Sequence, residues 1–205
     1  MTVKLGVVPR VDPNPKSEPN PKSTRSRAAY LGFAGFSTML EEFLIASHIG
    51  ELLWEGYPSS GDCDNESRVG WMSSACLLLR RRALDQVGLL DESYFIYGDE
   101  ADLQYRLHRA GWDVIYLPQA STIHYGGRSM DRWRRRKMVY RGKMLFYEKN
   151  YGTARSVALR AMLGSMSFSK LALWSAASLS TRRRDIAHKE IGSNVDVLKL
   201  CFRLE

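Results

Sequence analysis

The sequence predicts an α/β chain that ends in helices. Two observations carry this expectation. Short apolar runs bounded by glycine, proline and polar residues, at positions 3–8, 69–79, 113–117 and 121–124, read as strands separated by stretches with apolar residues three and four apart. From Asp131 onward the strand signals stop and helical patterning continues to the end of the chain.

Taken in order, residues 3–8 predict one short buried strand. Residues 9–27 then collect five of the seven prolines with Ser, Asn and Lys, which marks a loop or linker extending to about residue 35. The spacing of Leu40, Phe43, Leu44, Leu52 and Leu53 predicts a helix over 37–54 with Ser37 as its N-cap, weakened by Gly50. A polar loop covers 56–67, and the apolar run 69–79 predicts a strand buried on both faces. Residues 80–87 predict a short helix closed by Gly88. A helix from about Asp99 to Ala110 has Leu103, Leu107 and Ala110 on one face and Gly111 as its stop. Strands follow at 113–117, ended by Pro118, and at 121–124. Asp131 caps a long helix to about Asn150, with an arginine and lysine face and apolar positions that include Met138, Met144, Leu145 and Phe146. Residues 153–179 continue as an apolar helix interrupted by Arg160 and Lys170, a pattern suited to lying on a membrane surface rather than crossing it. Residues 181–205 form a charged helical tail, and no internal repeat is present.

Composition bounds the function. With 205 residues, 44% of them hydrophobic, and five tryptophans, the chain can build a substantial core. A net charge of +8 points to acidic partners such as nucleic acid, an anionic membrane surface or substrate phosphates. Cys63, Cys76 and Cys201 are widely spaced and odd in number, which supports neither a disulfide framework nor a zinc site and suits a reducing cytoplasm. The apolar run before Pro9 is too short for a signal peptide, and no run reaches the roughly 18 apolar residues of a membrane-spanning helix.

The stretch 94–106 carries the most chemistry, because it sets Asp99, Glu100 and Asp102 at a helix start. Carboxylates there cap the helix and complement its dipole, and Asp102 can pair with Arg106 one turn on. Flanked by Phe95, Ile96 and Tyr97, they could equally accept a proton from a hydroxyl nucleophile or hold a divalent cation. His124 ends a short strand ahead of Gly126 and Gly127, which let a backbone approach a ligand closely; Arg128 and Ser129 could then meet phosphate oxygens. Of the basic clusters at 80–82, 132–137 and 182–184, the last reads as a solvated helix face. The face 132–141 suits a diphosphate or anionic lipid. None shows a convincing pattern of interleaved stacking aromatics or a known nucleic-acid motif, so nucleic acid is not an expected partner.

The order of motifs is that of a known family. Trp71-Met72-Ser73-Ser74-Ala75-Cys76, Val87-Gly88-Leu89-Leu90-Asp91-Glu92, Tyr97-Gly98-Asp99-Glu100-Ala101-Asp102-Leu103, Arg106-Leu107, Ala110-Gly111-Trp112, Pro118 and His124 follow one another along the chain. Together they resemble the acceptor-side half of family 2 glycosyltransferases of the rhamnosyltransferase-like group, densely over 69–150 and more weakly over 1–11. The resemblance implies a partial GT-A fold with a mixed sheet over 1–150 and a helical extension, associated with a membrane surface, over 151–205. It implies inverting transfer of a sugar from a nucleotide-diphosphate donor to a hydroxyl acceptor of a cell-envelope glycan or lipid, at the cytoplasmic face of the plasma membrane.

The same resemblance assigns roles. Glu100 stands at the general base's position, with Asp99 as neighbour or substitute, in the order reverse to the usual Glu-Asp. Trp71, Ser73, Ser74, Ala75 and Tyr97 would face the acceptor, His124 would hold manganese or magnesium, and Arg128, Ser129 and Arg132 would meet the diphosphate. Ser74 stands where the family usually has glycine. The family's donor-binding βαβ units and Asp-x-Asp element are expected ahead of Met1; Asp62-Cys63-Asp64 has that spelling but lies in a polar loop. The expectation is therefore a C-terminal half with an uncovered sheet edge, which either pairs with a donor-binding half on another chain or is the product of a truncated reading frame. A noncatalytic membrane-associated or partner-binding domain derived from this fold is the alternative.

Overall fold

The structure is a computed structural model that describes residues 2–4, 8–11, 33–34, 36–47, 49, 65–74, 76–118, 121–124, 130–180 and 184–203, with strands 2–4, 8–11, 33–34 and 121–124 described by backbone alone. It divides into two compact units, Met1–Ser93 with Asp99–Arg128, and Tyr94–Gly98 with Ser129–Glu205. The helix Arg132–Asn150, assigned from sequence to the first domain, belongs to the second unit.

In the first unit, strand β6 (Asp113–Tyr116) lies between β1 (Thr2–Lys4), parallel to it with Val3 opposite Val114, and β4 (Ser67–Val69), antiparallel with Val69 opposite Val114. The sheet is thus mixed, as expected of a partial GT-A arrangement. Val114, Ile115 and Tyr116 are all buried, so this strand has lost water on both faces. Strand β2 (Val8–Val11) runs parallel to β7 (Ser121–His124), and β3 (Phe33–Ala34) pairs antiparallel with β5 (Trp71–Met72). Two sequence expectations are corrected here. The single strand expected at 3–8 is two, β1 and β2, each with its own partner. The strand expected at 69–79 is also two short ones, since the chain bends at Gly70 and β4 and β5 pair with different neighbours; Ser67 and Val69 are half-buried and Arg68 is exposed, so β4 is not buried on both faces.

Helix α1 (Met39–Ser47) is capped by Thr38 rather than the expected Ser37. The Thr38 N–H donates to Glu41 Oε2 at 2.6 Å while the Glu41 N–H donates to Thr38 Oγ1 at 3.3 Å, a reciprocal box that satisfies two otherwise orphaned donors. Leu52 and Leu53 lie outside the described residues. Helix α2 (Arg81–Val87) ends at Gly88, whose φ of 84° suits a residue without a Cβ. Helix α3 (Asp99–Arg109) buries Leu103 and Leu107 as its periodicity requires and stops at Gly111 with φ 83°. Met72, Ala83, Leu103, Leu107, Trp112, Val114 and Tyr116 form the core between α2, α3 and the sheet.

The second unit holds three helices, α4 (Arg132–Asn150), α5 (Thr153–Ala177) and α6 (Arg184–Phe202). Asp131 caps α4 as expected, its Oδ1 accepting from the Trp133 and Arg134 N–H groups at 3.0 and 3.1 Å. Those bonds hold the Asp131 carboxyl below its ordinary range. Leu159 and Leu163 of α5 and Ala187, Val197 and Leu200 of α6 are buried, and Gly164 lets α6 approach closely enough that an added Cβ would stand 3.7 Å from the Cys201 Cβ. The polar face of α4 is less open than its composition suggests. Buried Glu190 accepts from Arg132 Nη2 at 2.9 Å, Arg136 Nη1 at 2.7 Å and Trp133 Nε1 at 3.2 Å. Among the described residues no helix is long and apolar enough to cross a membrane.

Candidate functional site

Asp99 and Glu100 form the first turn of α3, both half-buried, where unsatisfied helical N–H groups favour negative charge. The third carboxylate has a different fate. Asp102 is buried, and its Oδ2 accepts from Arg106 Nε at 2.8 Å, while Arg106 also donates to the carbonyls of Val87 at 2.5 Å and Leu89 at 2.8 Å. Arg106 thereby ties the segment after α2 to α3, and Asp102 supplies the charge that keeps the guanidinium there. Asp102 is structural, as its i, i+4 spacing to Arg106 predicted.

What fixes the acidic turn against the sheet is Gln104, a residue the sequence did not single out. Its side chain is fully buried: the Met72 N–H donates to Oε1 at 2.7 Å, and Nε2 donates to the Met72 carbonyl at 2.8 Å and the Glu100 carbonyl at 2.8 Å. The amide thus stands in for a neighbouring strand along β5 and, through the same nitrogen, holds the turn that carries Glu100. One turn further, His108 Nε2 lies 2.7 Å from the Gly70 carbonyl, a second tie from α3 to the same short stretch. Trp112, at the other end of α3, donates from Nε1 to Gln86 Oε1 at 2.9 Å.

These ties bring part of the expected acceptor face to the acidic turn's own unit. Trp71 and Ser73 are half-buried and Ser74 is exposed, at and just after β5. Ala75 lies outside the described residues, as do Arg128 and Ser129, and His124 is described only by its backbone at the end of β7. Tyr97 is half-buried with φ 63°, and belongs with Gly98 to the second unit. Arg132, expected to meet a diphosphate, is bonded to Glu190 and stacks 4.6 Å above the Trp133 ring, with its side chain 59% exposed. Among the described residues no three His, Cys, Asp or Glu side chains converge as a cation site. The chemistry on view is therefore that of a carboxylate pair on a rigid helix start beside an aromatic strand.

Comparison with known proteins covers the same stretch of the chain. Residues 60–140 match the model of the glycosyltransferase like family 2. An N-acetylglucosaminyl-diphospho-decaprenol L-rhamnosyltransferase of Mycobacterium tuberculosis is 47% identical over 68 residues, which are 33% of this chain and 22% of the relative; the same holds in two strains. An O-antigen biosynthesis protein RfbC of Myxococcus xanthus is 33% identical over 82 residues, 39% of this chain and 6% of the relative. The chain thus spans about a fifth of the length of the mycobacterial relatives, 22%, and a smaller share of the other. No solved structure matches. Residues 60–140, which hold β4, β5, α2, α3 and the acidic pair, are thus similar to the family 2 glycosyltransferases over somewhat less than half of the chain.

Proposed function

We propose that this chain supplies the acceptor and catalytic side of an inverting glycosyltransferase. It transfers a sugar from a nucleotide-diphosphate donor to a hydroxyl of a cell-envelope glycan or lipid-linked acceptor. The observation that carries the reading is the pair Asp99 and Glu100, half-buried at the start of α3 and tied through Gln104 to the strand of Trp71, all within the segment matched to the family. The names of the mycobacterial relatives favour an L-rhamnosyl donor and a diphosphate-linked polyprenol acceptor.

In the proposed step Glu100, or Asp99 beside it, accepts the acceptor hydroxyl's proton as that oxygen bonds the anomeric carbon. The bond from that carbon to the diphosphate breaks, and the nucleoside diphosphate leaves with the electron pair. Trp71, Ser73, Ser74, Ala75 and Tyr97 are the proposed acceptor surface. Manganese or magnesium at His124, and the diphosphate contacts of Arg128, Ser129 and Arg132, belong to the same reading, and the base step is derived without them.

A membrane surface is the proposed location, at the inner face of the plasma membrane. Between Val157 and Leu179 the exposed residues of α5 and its end carry no charge, with Val157, Phe168, Leu173 and Leu179 outward in a chain of which 25% is charged.

The test is transfer from a nucleoside diphospho-L-rhamnose to a diphosphate-polyprenol-linked N-acetylglucosamine, with titration calorimetry of the donor with and without manganese. Glu100→Gln is expected to lower turnover about 10²- to 10⁴-fold while leaving donor binding in place. Unchanged turnover in both Glu100→Gln and Asp99→Asn refutes the assignment. A chain that binds no nucleotide sugar at high concentration supports the noncatalytic alternative.

A further inference from the structure

We infer that Gly142, in the middle of α4, is a positioning residue for the proposed transfer: it leaves a notch in the helix in which the Tyr97–Gly98 backbone is seated, and that backbone runs directly into Asp99 and Glu100. The inference rests on the reading of that pair as the base. The seat itself lies within one compact unit, which contains both Tyr94–Gly98 and α4.

Three features define it. A Cβ built on Gly142 would run into the Tyr97 carbonyl oxygen and stand 2.9 Å from the Tyr97 carbonyl carbon and 3.6 Å from the Gly98 nitrogen. These are backbone atoms that cannot swing aside as the end of a flexible side chain could. Tyr97 has φ 63°, a conformation that an L side chain adopts only where its surroundings hold it. Gly98 has φ 98°, and a Cβ there would meet the Tyr94 ring at 3.1 and 3.2 Å and the Gly142 carbonyl carbon at 3.3 Å. The Tyr94 ring is itself buried, with Lys149 Nζ, about two helical turns along the same face from Gly142, 5.5 Å from its centroid.

A helix interior normally disfavours glycine, and alanine at such a position stabilises unless space forbids it. At Gly142 space does forbid it. By contrast a Cβ at Gly192 of α6 would have no atom within 4 Å. Gly142 acts through the backbone of the turn and touches no substrate. Its contribution is to hold Tyr97 in its disfavoured conformation, and so to fix where the chain enters α3.

The experiment compares Gly142→Ala with wild type and with Gly192→Ala in the full chain, by amide hydrogen exchange read by mass spectrometry and by transfer kinetics. Gly142→Ala is expected to raise exchange over 94–100 at least tenfold, leave exchange in α6 unchanged, and lower kcat at least tenfold with donor KM unchanged; Gly192→Ala changes none of these. Unchanged exchange over 94–100 overturns the seat. Raised exchange with unchanged kcat overturns its positioning role. A wild-type chain without turnover refutes the proposed function and not the seat, which is then decided by exchange alone. Should Gly142→Ala fail to fold, the double variant with Tyr97→Gly, whose carbonyl can rotate away, is expected to recover the fold without the protection of 94–100. Wild-type protection in that double variant overturns the inference.

Discussion

Replacing Gln104 by leucine removes three hydrogen bonds from the interior with little change in volume. The loss falls on Met72, whose N–H and carbonyl are paired with the Gln104 amide at 2.7 and 2.8 Å. Each buried backbone group left without a partner costs about 1–3 kcal/mol. Two of them cost about 2–6 kcal/mol, and the apolar area that leucine gains at a fully buried position offsets part of this, leaving about 3 kcal/mol. For a chain of this length that is a fall in Tm of about 6–12 °C, measurable by circular dichroism or calorimetry. A control separates hydrogen bonding from packing. Gln104→Glu, when ionised, has no donor for the Met72 carbonyl, and only the protonated acid can restore one. That variant should therefore be less stable than Gln104→Leu at neutral pH and regain stability as the pH falls through the glutamic acid range. A leucine variant within about 1 kcal/mol of wild type would refute the claim that this amide holds the acidic helix to the sheet.

Arg106→Met should destabilise the first unit by about 3–5 kcal/mol in chemical denaturation, because it leaves Asp102 as a buried charge without its guanidinium; Asp102→Asn in the same background should recover part of the loss. In the second unit, burial pushes the Glu190 carboxyl up, but hydrogen bonding and charge from Arg136, with Trp133 and Arg132, outweigh it and hold the group below the ordinary range. A lowered folded value means that Glu190 contributes stability above its unfolded pKa of about 4.3 and loses it as pH falls through the folded value. Thermal melts between pH 7 and pH 3 should show this acid loss in wild type and a flatter curve in Glu190→Gln; parallel curves would show that the carboxylate does not stabilise the helices. Lys170 titrates in the opposite sense. Burial and the charge of Arg136 push its ammonium down, so its penalty to the fold is relieved as pH rises through the folded value, and Lys170→Met should remove that alkaline gain in melts from pH 7 to 11.

Helix α3 was legible from sequence almost to the residue. Its determinants are local: carboxylates at the start, leucines four apart and a glycine at the stop. The same holds for α4, where Asp131 caps the helix through bonds to residues two and three positions on. The strands were less legible. The run from Val69 to Leu79 is largely apolar, and nothing in it reveals that Gly70 bends the chain so that Val69 pairs with β6 and Trp71 with β3. Strand pairing is decided by segments far away in sequence, and composition does not carry it. Gln104 escaped notice for a similar reason. It follows Leu103 at the border of the apolar face, where a solvated glutamine is the ordinary reading, and only Met72, 32 residues away, makes it internal. The basic face of α4 read as an open anion site because Glu190, which pairs with Arg132 and Arg136, is more than 50 residues away. The acidic pair itself was legible as a motif, and its tie to the strand of Trp71 was not.

The short excursion of Tyr94–Gly98 into the second unit has a practical consequence for dissecting the molecule. The chain passes from one unit to the other, back again, and then out for good, so no single peptide-bond cut yields two intact pieces. A fragment ending near residue 128 would keep α3 but lose the helix against which Tyr94 and Tyr97 rest; a fragment beginning near residue 129 would keep the notch at Gly142 with nothing to fill it. The backbone just before Asp99 rests against Gly142, more than 40 residues later in the chain. A truncation anywhere between the end of α3 and Gly142 therefore removes the seat of the entry to the acidic turn without touching a single residue of α3.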